Sequence, residues 1–322
     1  MKLATFTTRQ DPTPRVGVVT GQDSAIVDLA TALSQTGFDP RVAGSMQDVI
    51  EGGADCLAMI RTAIDKFAGE LLPITEVKML APLPRPVQIR DCMCFEEHLV
   101  GSSKAAMRLT GQTQPSERSL KMHEIFKVRP IYYKANRMAV VGPDTEVHWP
   151  AYSKMMDYEL EMGCVIGKTG RDISRENARA HIFGFMIFND FSARDTQGME
   201  MESGLGPSKS KDFDGANAMG PWIVTIDEFY PDSAAMIVRV NGEVRSAGNS
   251  NSMTVKFEDL IAFISTSETL HAGEVLGSGT VGGGCGLEAG KLLVDGDVIE
   301  LEIEGIGVLR NRVFAAKQED QV

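Results

Sequence analysis

The residues whose types and spacing could do chemistry are acids. In Tyr158-Glu-Leu-Glu-Met-Gly-Cys-Val-Ile166 acidic and apolar residues alternate at the start. A strand's side chains switch faces at every residue, so Glu159 and Glu161 share one face while Tyr158, Leu160 and Met162 share the other. Two carboxylates about 6 Å apart at an effective dielectric near 20 repel by roughly 3 kcal/mol. Inside a fold, one must then be protonated or a cation must sit between them. Taken alone, Glu-x-Glu more often marks the solvent face of an edge strand. A third acid turns the odds: Asp190 ends the apolar run 182–188, where a strand emerges and a site can form. Asp91, closing Val87-Gln-Ile-Arg-Asp91, is a fourth candidate. His98 follows it and could be a general base, since an unperturbed imidazole titrates at about 6.5. A histidine on a helix surface beside Glu96 and Glu97 fits the local sequence as well. Cys92, Cys94 and His98 could also act as soft ligands for zinc, but no second Cys/His pair follows at finger-like spacing and the acids around them are oxygen ligands.

These residues need a scaffold, and the chain is long enough to supply one. With 322 residues, 43% of them hydrophobic, it can form one large domain and a small one. No apolar run approaches the roughly 20 residues of a membrane span, and the first eight residues carry no signal-like hydrophobic region. A cytoplasmic protein is the expectation. The five cysteines, Cys56, Cys92, Cys94, Cys164 and Cys285, are odd in number and lack scaffold spacing, which argues for reduced thiols. A formal net charge of −12 argues against nucleic acid and anionic membranes as partners, and an anionic substrate would have to be drawn by local cations.

Residues 1–80 read as a small β-rich unit, with strands at 3–6, 15–19 and 25–29 and a hairpin-like turn at Thr20-Gly-Gln-Asp23. A helix follows over 46–68; Met59, Ile60, Ala63, Ile64 and Phe67 recur at helical spacing, and Gly52 and Gly53 break it beforehand. Pro82, Pro84 and Pro86 mark a linker at 81–86, so the catalytic domain runs from 87 to 322. The polar stretch 101–127, carrying Lys104, Arg108, Arg118 and Lys121, reads as a mobile connection with short helices, of the sort that makes lids. A strand at 129–134 sets Tyr133 and Lys134 before a turn. Ser174 is a candidate N-cap, Asn241-Gly242 suits a type I′ turn, and Phe257, Leu260, Ile261 and Ile264 line one helix face. Gly277-Ser-Gly-Thr-Val-Gly282 matches the dinucleotide fingerprint letter for letter, yet a strand-like segment at 292–303 follows it rather than a helix. Its glycines read instead as a close approach of backbone to a ligand or as a sharp bend.

From Asp91 onward the chain resembles the fumarylacetoacetate hydrolase family. The resemblance is carried by Tyr158-Glu-Leu-Glu161, His181-Ile-Phe-Gly184, Asn189-Asp-Phe-Ser-Ala-Arg-Asp195, Lys211-Asp-Phe-Asp214, Pro221-Trp222, Gly279-Thr280 and Gly284-Cys-Gly-Leu-Glu288. It implies an α+β, β-rich fold: a mixed β-roll catalytic domain with a small β-rich N-terminal domain, usually dimeric. By the same resemblance Asp91, Glu159, Glu161 and Asp190 hold a divalent ion, Mg2+ in first place with Ca2+ or Mn2+ as alternatives. His98 matches the general base, Glu288 the carboxylate that orients it, and Lys211 a catalytic lysine. Tyr133, Arg194, Gln197 and Thr280 match positions that contact substrate or stabilise developing negative charge, and Arg108 matches a substrate-carboxylate arginine if a one-residue shift is allowed. Acylpyruvate hydrolases of the family place a glutamate three residues after the histidine; here that position is Gly101, which favours the distant Glu288 as the partner of His98. The implied activity is metal-dependent hydrolysis of a carbon–carbon bond in a 1,3-diketo acid such as fumarylacetoacetate, an acylpyruvate or fumarylpyruvate, in aromatic-compound catabolism. His98 would take a proton from water, and Lys211 with the ion would bear the charge of the enolate released. Two alternatives stay open: a metal-dependent decarboxylase or isomerase of 2-oxo or dienoic diacids, and a non-catalytic metal-binding protein.

Overall fold

A computed structural model describes residues 1–316. Its central feature follows from three segments whose every residue is buried: Leu160–Ile166, Ile182–Asp190 and Asn217–Thr225. Segments covered on both faces must be interior strands, and these three lie side by side and antiparallel in a twelve-stranded sheet. Beyond Leu160–Ile166 the sheet continues through Val275–Gly277, then Ile89–Cys92 running parallel to it, then Tyr132–Ala135. The register sets Glu161 opposite Phe188, Gly163 opposite Gly277, Gly277 opposite Asp91, and Asp91 opposite Tyr133. Acids far apart in sequence are thereby brought onto neighbouring strands.

The two faces of this sheet are packed differently, as the alternation in Leu160–Ile166 requires. Leu160, Met162 and Cys164, with Phe185 of the neighbouring strand, join a core with Met236, Val238, Leu301 and Ile303 from a second sheet. That sheet has five strands: Glu146–His148, Ala235–Val240, Glu243–Asn249, Val298–Ile303 and Gly307–Phe314. Val165, Phe183, Met186 and Phe188 pack the other way, against Leu3, Ile50 and Ile60 of the first eighty residues. The architecture is mixed and sheet-rich, with no closed barrel among the described residues.

The N-terminal strands Lys2–Thr8, Arg15–Thr20 and Ala25–Asp28 form where the sequence places them, and they extend the same large sheet, since Lys2 pairs with Val224 and Leu3 with Ile223. Helix Met46–Asp65 is broken at Gly53, whose φ of 56° lies in the left-handed region. The proline segment lies against this sheet: Ala81 and Leu83 are buried, and Thr5 Oγ1 donates to the Pro82 carbonyl at 2.6 Å.

Residues 101–127 carry helices as expected, and these pack on each other. The helix Glu96–Thr110 starts ahead of that stretch and runs on into it, and a second helix, Glu117–Phe126, packs upon it through Glu96 with His123 and Ser103 with Ser119. The strand expected over 292–303 begins only at Val298, because Asp297 first closes a turn on the Val294 amide. Residues 317–322, the end of the expected catalytic domain, lie outside the described residues.

Candidate metal centre and catalytic dyad

Asp91, Glu159, Glu161 and Asp190 each offer an oxygen, and these atoms lie within 4.8 Å of one another. All four residues are buried. Glu161 and Asp190 are held by the central strands. Glu159 sits just ahead of Leu160–Ile166, its amide donating to Asn189 Oδ1 at 3.0 Å. The glycine run supplies close backbone approach: the Gly279 amide donates to Glu161 Oε2 at 3.0 Å, and a Cβ on Gly277 would stand 2.6 Å from Asp91 Oδ1 and 2.8 Å from Glu161 Oε2. No helix follows that run before Gly286–Ala289, so the dinucleotide reading has no support.

Three carboxylate oxygens here, Asp91 Oδ1, Glu161 Oε1 and Asp190 Oδ1, are buried without a hydrogen-bond partner. Leaving such atoms unpaired costs free energy, about 1–3 kcal/mol each and more for charged groups. A hard divalent cation takes several oxygen ligands and removes that penalty, so the donor set fits Mg2+, Mn2+ or Ca2+. The electrostatics agree. Burial first, then repulsion from Asp91, pushes the Glu161 carboxyl well above the usual range, and burial likewise raises Asp190 and Asp91. Burial also works to raise Glu159, but Lys211 and Arg194 beside it win, and its carboxyl is held low.

The expected substrate-facing cations form one network with these acids. Lys211 Nζ donates to Glu159 Oε2 at 2.7 Å, to Ser192 Oγ at 2.8 Å and to Asp190 Oδ2. Burial opposes its charge, but the Asp190 and Glu159 carboxylates outweigh that and raise its pKa. Tyr133 donates to Asp190 Oδ2 at 2.7 Å. Arg194 opens the helix Arg194–Glu202 and reaches Asp157 Oδ2 and Glu159 Oε1, each at 2.7 Å, and Gln197 Oε1 at 2.9 Å. Thr280 is buried next to Gly279, its hydroxyl without a partner.

His98 lies in the first turn of Glu96–Thr110. Its Nδ1 is 2.6 Å from Glu288 Oε1, with the carboxylate accepting, and its Nε2 is 3.9 Å from Glu159 Oε1. The surface-helix alternative for this histidine does not hold, since the residue is buried. Gly101 explains why the partner comes from so far away: a Cβ there would lie 2.0 Å from Glu288 Oε2, so the glycine leaves the space that Glu288 fills. Arg108 is the sequence candidate that the fold does not bring to the carboxylates. It is exposed, and its guanidinium donates to the carbonyls of Leu287 and Glu288 at 3.3 and 2.7 Å.

Asp157 is the residue that sequence reasoning passed over. It is wholly buried, accepts from Arg194, and also accepts from the amides of Gly286 and Leu287 at 2.7 and 2.9 Å. One carboxylate thus joins Arg194 to the short helix that carries Glu288. The signal was the same period of two: Asp157, Glu159 and Glu161 share a parity.

Fold and site together define a class, a sheet-rich enzyme superfamily with an oxygen-lined site for a divalent metal. Residues 91–314 match the family described as fumarylacetoacetate (FAA) hydrolase C-terminal, and the chain belongs to the fumarylacetoacetate hydrolase family. It is 33% identical over 317 residues to the human protein named oxaloacetate tautomerase FAHD2A, mitochondrial, covering 97% of this chain and 91% of that one. Among solved structures it resembles a fumarylacetoacetate hydrolase from Exiguobacterium antarcticum (28% identity, TM-score 0.73, 98% and 100% of the two chains). It also resembles maleylpyruvate hydrolase from Sphingobium sp. SYK-6 in complex with manganese(II) and pyruvate (25% identity, TM-score 0.73, 98% and 100%). No helix among the described residues is long and apolar enough to cross a membrane.

Proposed function

We propose that this protein is a divalent-metal-dependent enzyme acting on enolisable 2-oxo diacids, and first of all an oxaloacetate keto–enol tautomerase. The observation that carries the reading is the His98–Glu288 pair at 2.6 Å, with the other ring nitrogen facing the carboxylate cluster. The likeness to the human tautomerase along nearly the whole chain supports it. Mg2+ or Mn2+ in the carboxylate cluster would supply a Lewis acid for the substrate's 2-oxo group and its neighbouring carboxylate. The protein's own groups do the rest. Glu288 accepts a hydrogen bond from Nδ1–H, which keeps that proton on Nδ1 and leaves Nε2 free to take a proton from the enol hydroxyl or from C3 and return it at the other position. Lys211 and Arg194, fixed before substrate arrives, face the negative charge that develops as that proton moves. Arg194 and Gln197 supply donors for the distal carboxylate, and Tyr133 and Thr280 line the same site.

The test follows the ultraviolet absorbance of enol-oxaloacetate with and without the protein, at saturating Mg2+ or Mn2+. Enol decay that is no faster with wild-type protein than with His98→Ala removes the proposal.

Hydrolysis of a carbon–carbon bond in an acylpyruvate-like 1,3-diketo acid is the second reading. The same dyad can draw a proton from water, and two of the similar structures are named as hydrolases. Heavy-oxygen water separates the two, because only hydrolysis places solvent oxygen in a product carboxylate while splitting the chain. A panel of fumarylpyruvate, fumarylacetoacetate and acylpyruvates completes that comparison. The partners in either reading are a small anionic substrate and a second copy of this chain in a cytoplasmic homodimer; a monomer's mass by light scattering removes the dimer.

A further inference from the structure

Among the described residues a second group of metal-ligating atoms lies close together: His98, Cys285 and Glu288, each offering an atom within 4.8 Å of the others. The Cys285 thiol is buried and donates to Glu288 Oε1 at 3.4 Å, the same oxygen that stands 2.6 Å from His98 Nδ1. Cys285 is fixed by a bridge to Glu159 and directly precedes the helix Gly286–Ala289, so its position is set by the backbone that also holds the carboxylate cluster. Cys92 and Cys94, the cysteines near His98 in sequence, are not in this group; the fold replaces them with one from the far end of the chain.

The donor set differs in kind from the first. Four carboxylates select a hard ion, whereas an imidazole nitrogen, a thiolate sulfur and one carboxylate oxygen select zinc. Zinc bonds of about 2.0–2.3 Å put tetrahedral ligand atoms roughly 3.3–3.7 Å apart, so the 3.4 Å between Cys285 and Glu288 already fits and the 2.6 Å between His98 and Glu288 is short. A small rotation of Glu288 opens the latter.

We infer that His98, Cys285 and Glu288 form an inhibitory Zn2+ site separate from the four-carboxylate centre. Bonds form from zinc to Nδ1, to Sγ and to a Glu288 oxygen. The thiol proton leaves to solvent, the ring exchanges its Nδ1 proton for one on Nε2, and no group is oxidised or reduced. Zinc held there takes both partners of the dyad, so the ring can no longer relay a proton through Nε2. The inhibition rests on the role proposed for His98; the binding does not.

The experiment titrates the protein with Zn2+ at saturating Mg2+, counting bound zinc after gel filtration and following turnover in parallel. One zinc per chain that excess Mg2+ does not displace, with turnover lost in step, is the expected result. Cys285→Ser should weaken zinc binding by at least the roughly 10–100-fold that loss of a ligand's outer-shell partner costs, with turnover in zinc-free buffer retained. Co2+ offered in place of zinc should give a sulfur-to-metal charge-transfer absorption, a readout that needs only wild-type protein and no turnover. Zinc displaced by Mg2+, zinc bound equally by Cys285→Ser, or a cobalt spectrum without that absorption overturns the site. Should the absorption appear and turnover survive, the site stands, and it is the proton-transfer role of His98 that falls.

Discussion

In the proposed function, single side chains divide the work between holding charge and moving a proton. Glu161 brings a buried oxygen without a partner to the carboxylate cluster and is bonded to no fixed cation, so Glu161→Ala should lose metal and activity together. His98→Ala should retain metal while turnover falls by roughly 100- to 10,000-fold, the usual range for a positioned acid–base group. Metal analysis of both purified variants beside their rates checks the pair, and a fully active histidine variant would remove the proposed base. Gly101 gives a sharper case. Alanine is the better helix former by about 1 kcal/mol, so Gly101→Ala within Glu96–Thr110 should leave the melting temperature level or raised. Its new methyl would meet Glu288 Oε2, and a displacement near 1 Å costs on the order of 100-fold in rate. Stability and activity measured on the same preparation should therefore move apart. Equal activity would mean that Glu288 need not sit where it does.

Elements matter here because each brings one functional atom to a shared point. The strands Ile89–Cys92, Leu160–Ile166 and Ile182–Asp190 supply acids, helix Glu96–Thr110 supplies the proposed base His98, and helix Gly286–Ala289 supplies its partner Glu288. Asp157 ties the last of these to Arg194. Breaking a buried ion pair by removing one partner costs about 3–5 kcal/mol, so Asp157→Ala should destabilise by that order in denaturant unfolding. In the soluble fraction kcat should fall further than for Arg108→Ala, because Arg108 is exposed and braces only the carbonyls of the same short helix. Comparable rates in the two variants would show that Asp157 couples nothing.

Charge is a property of the whole molecule, and its sign decides how stability responds to pH. Asp91, Glu161 and Asp190 have raised carboxyls, so the metal-free folded state holds protons that the unfolded chain has already lost. Stability of the metal-free protein is then greatest at acidic pH and falls as pH rises above the ordinary carboxylate range of about 4. Glu159 works in the opposite sense, since its depressed carboxyl contributes stability that is lost progressively as pH falls below the ordinary carboxylate range. A divalent ion bound among these carboxylates would replace the shared protons. Added Mg2+ should therefore raise the melting temperature at pH 8 by several degrees more than at pH 5. An equal rise at both values would place the ion elsewhere on the protein.

Much of this was legible in the chain. Alternation in Tyr158-Glu-Leu-Glu161 placed two acids on one face, an apolar run ending in Asp190 marked an interior strand, and the quoted motifs carried the family. Local pattern suffices there because side-chain parity along a strand and burial of a continuous apolar run are short-range consequences of backbone geometry. The pairing of His98 with Glu288 was expected from the family resemblance and the glycine at 101, but local pattern could not show that Cys285 rather than Cys92 or Cys94 would meet them, or that Arg108 would turn to backbone carbonyls. Those pairings join residues from distant parts of the chain through strand register and loop closure. They are decided by which surfaces the packed sheets bring within a few ångströms, a quantity that no stretch of sequence carries by itself.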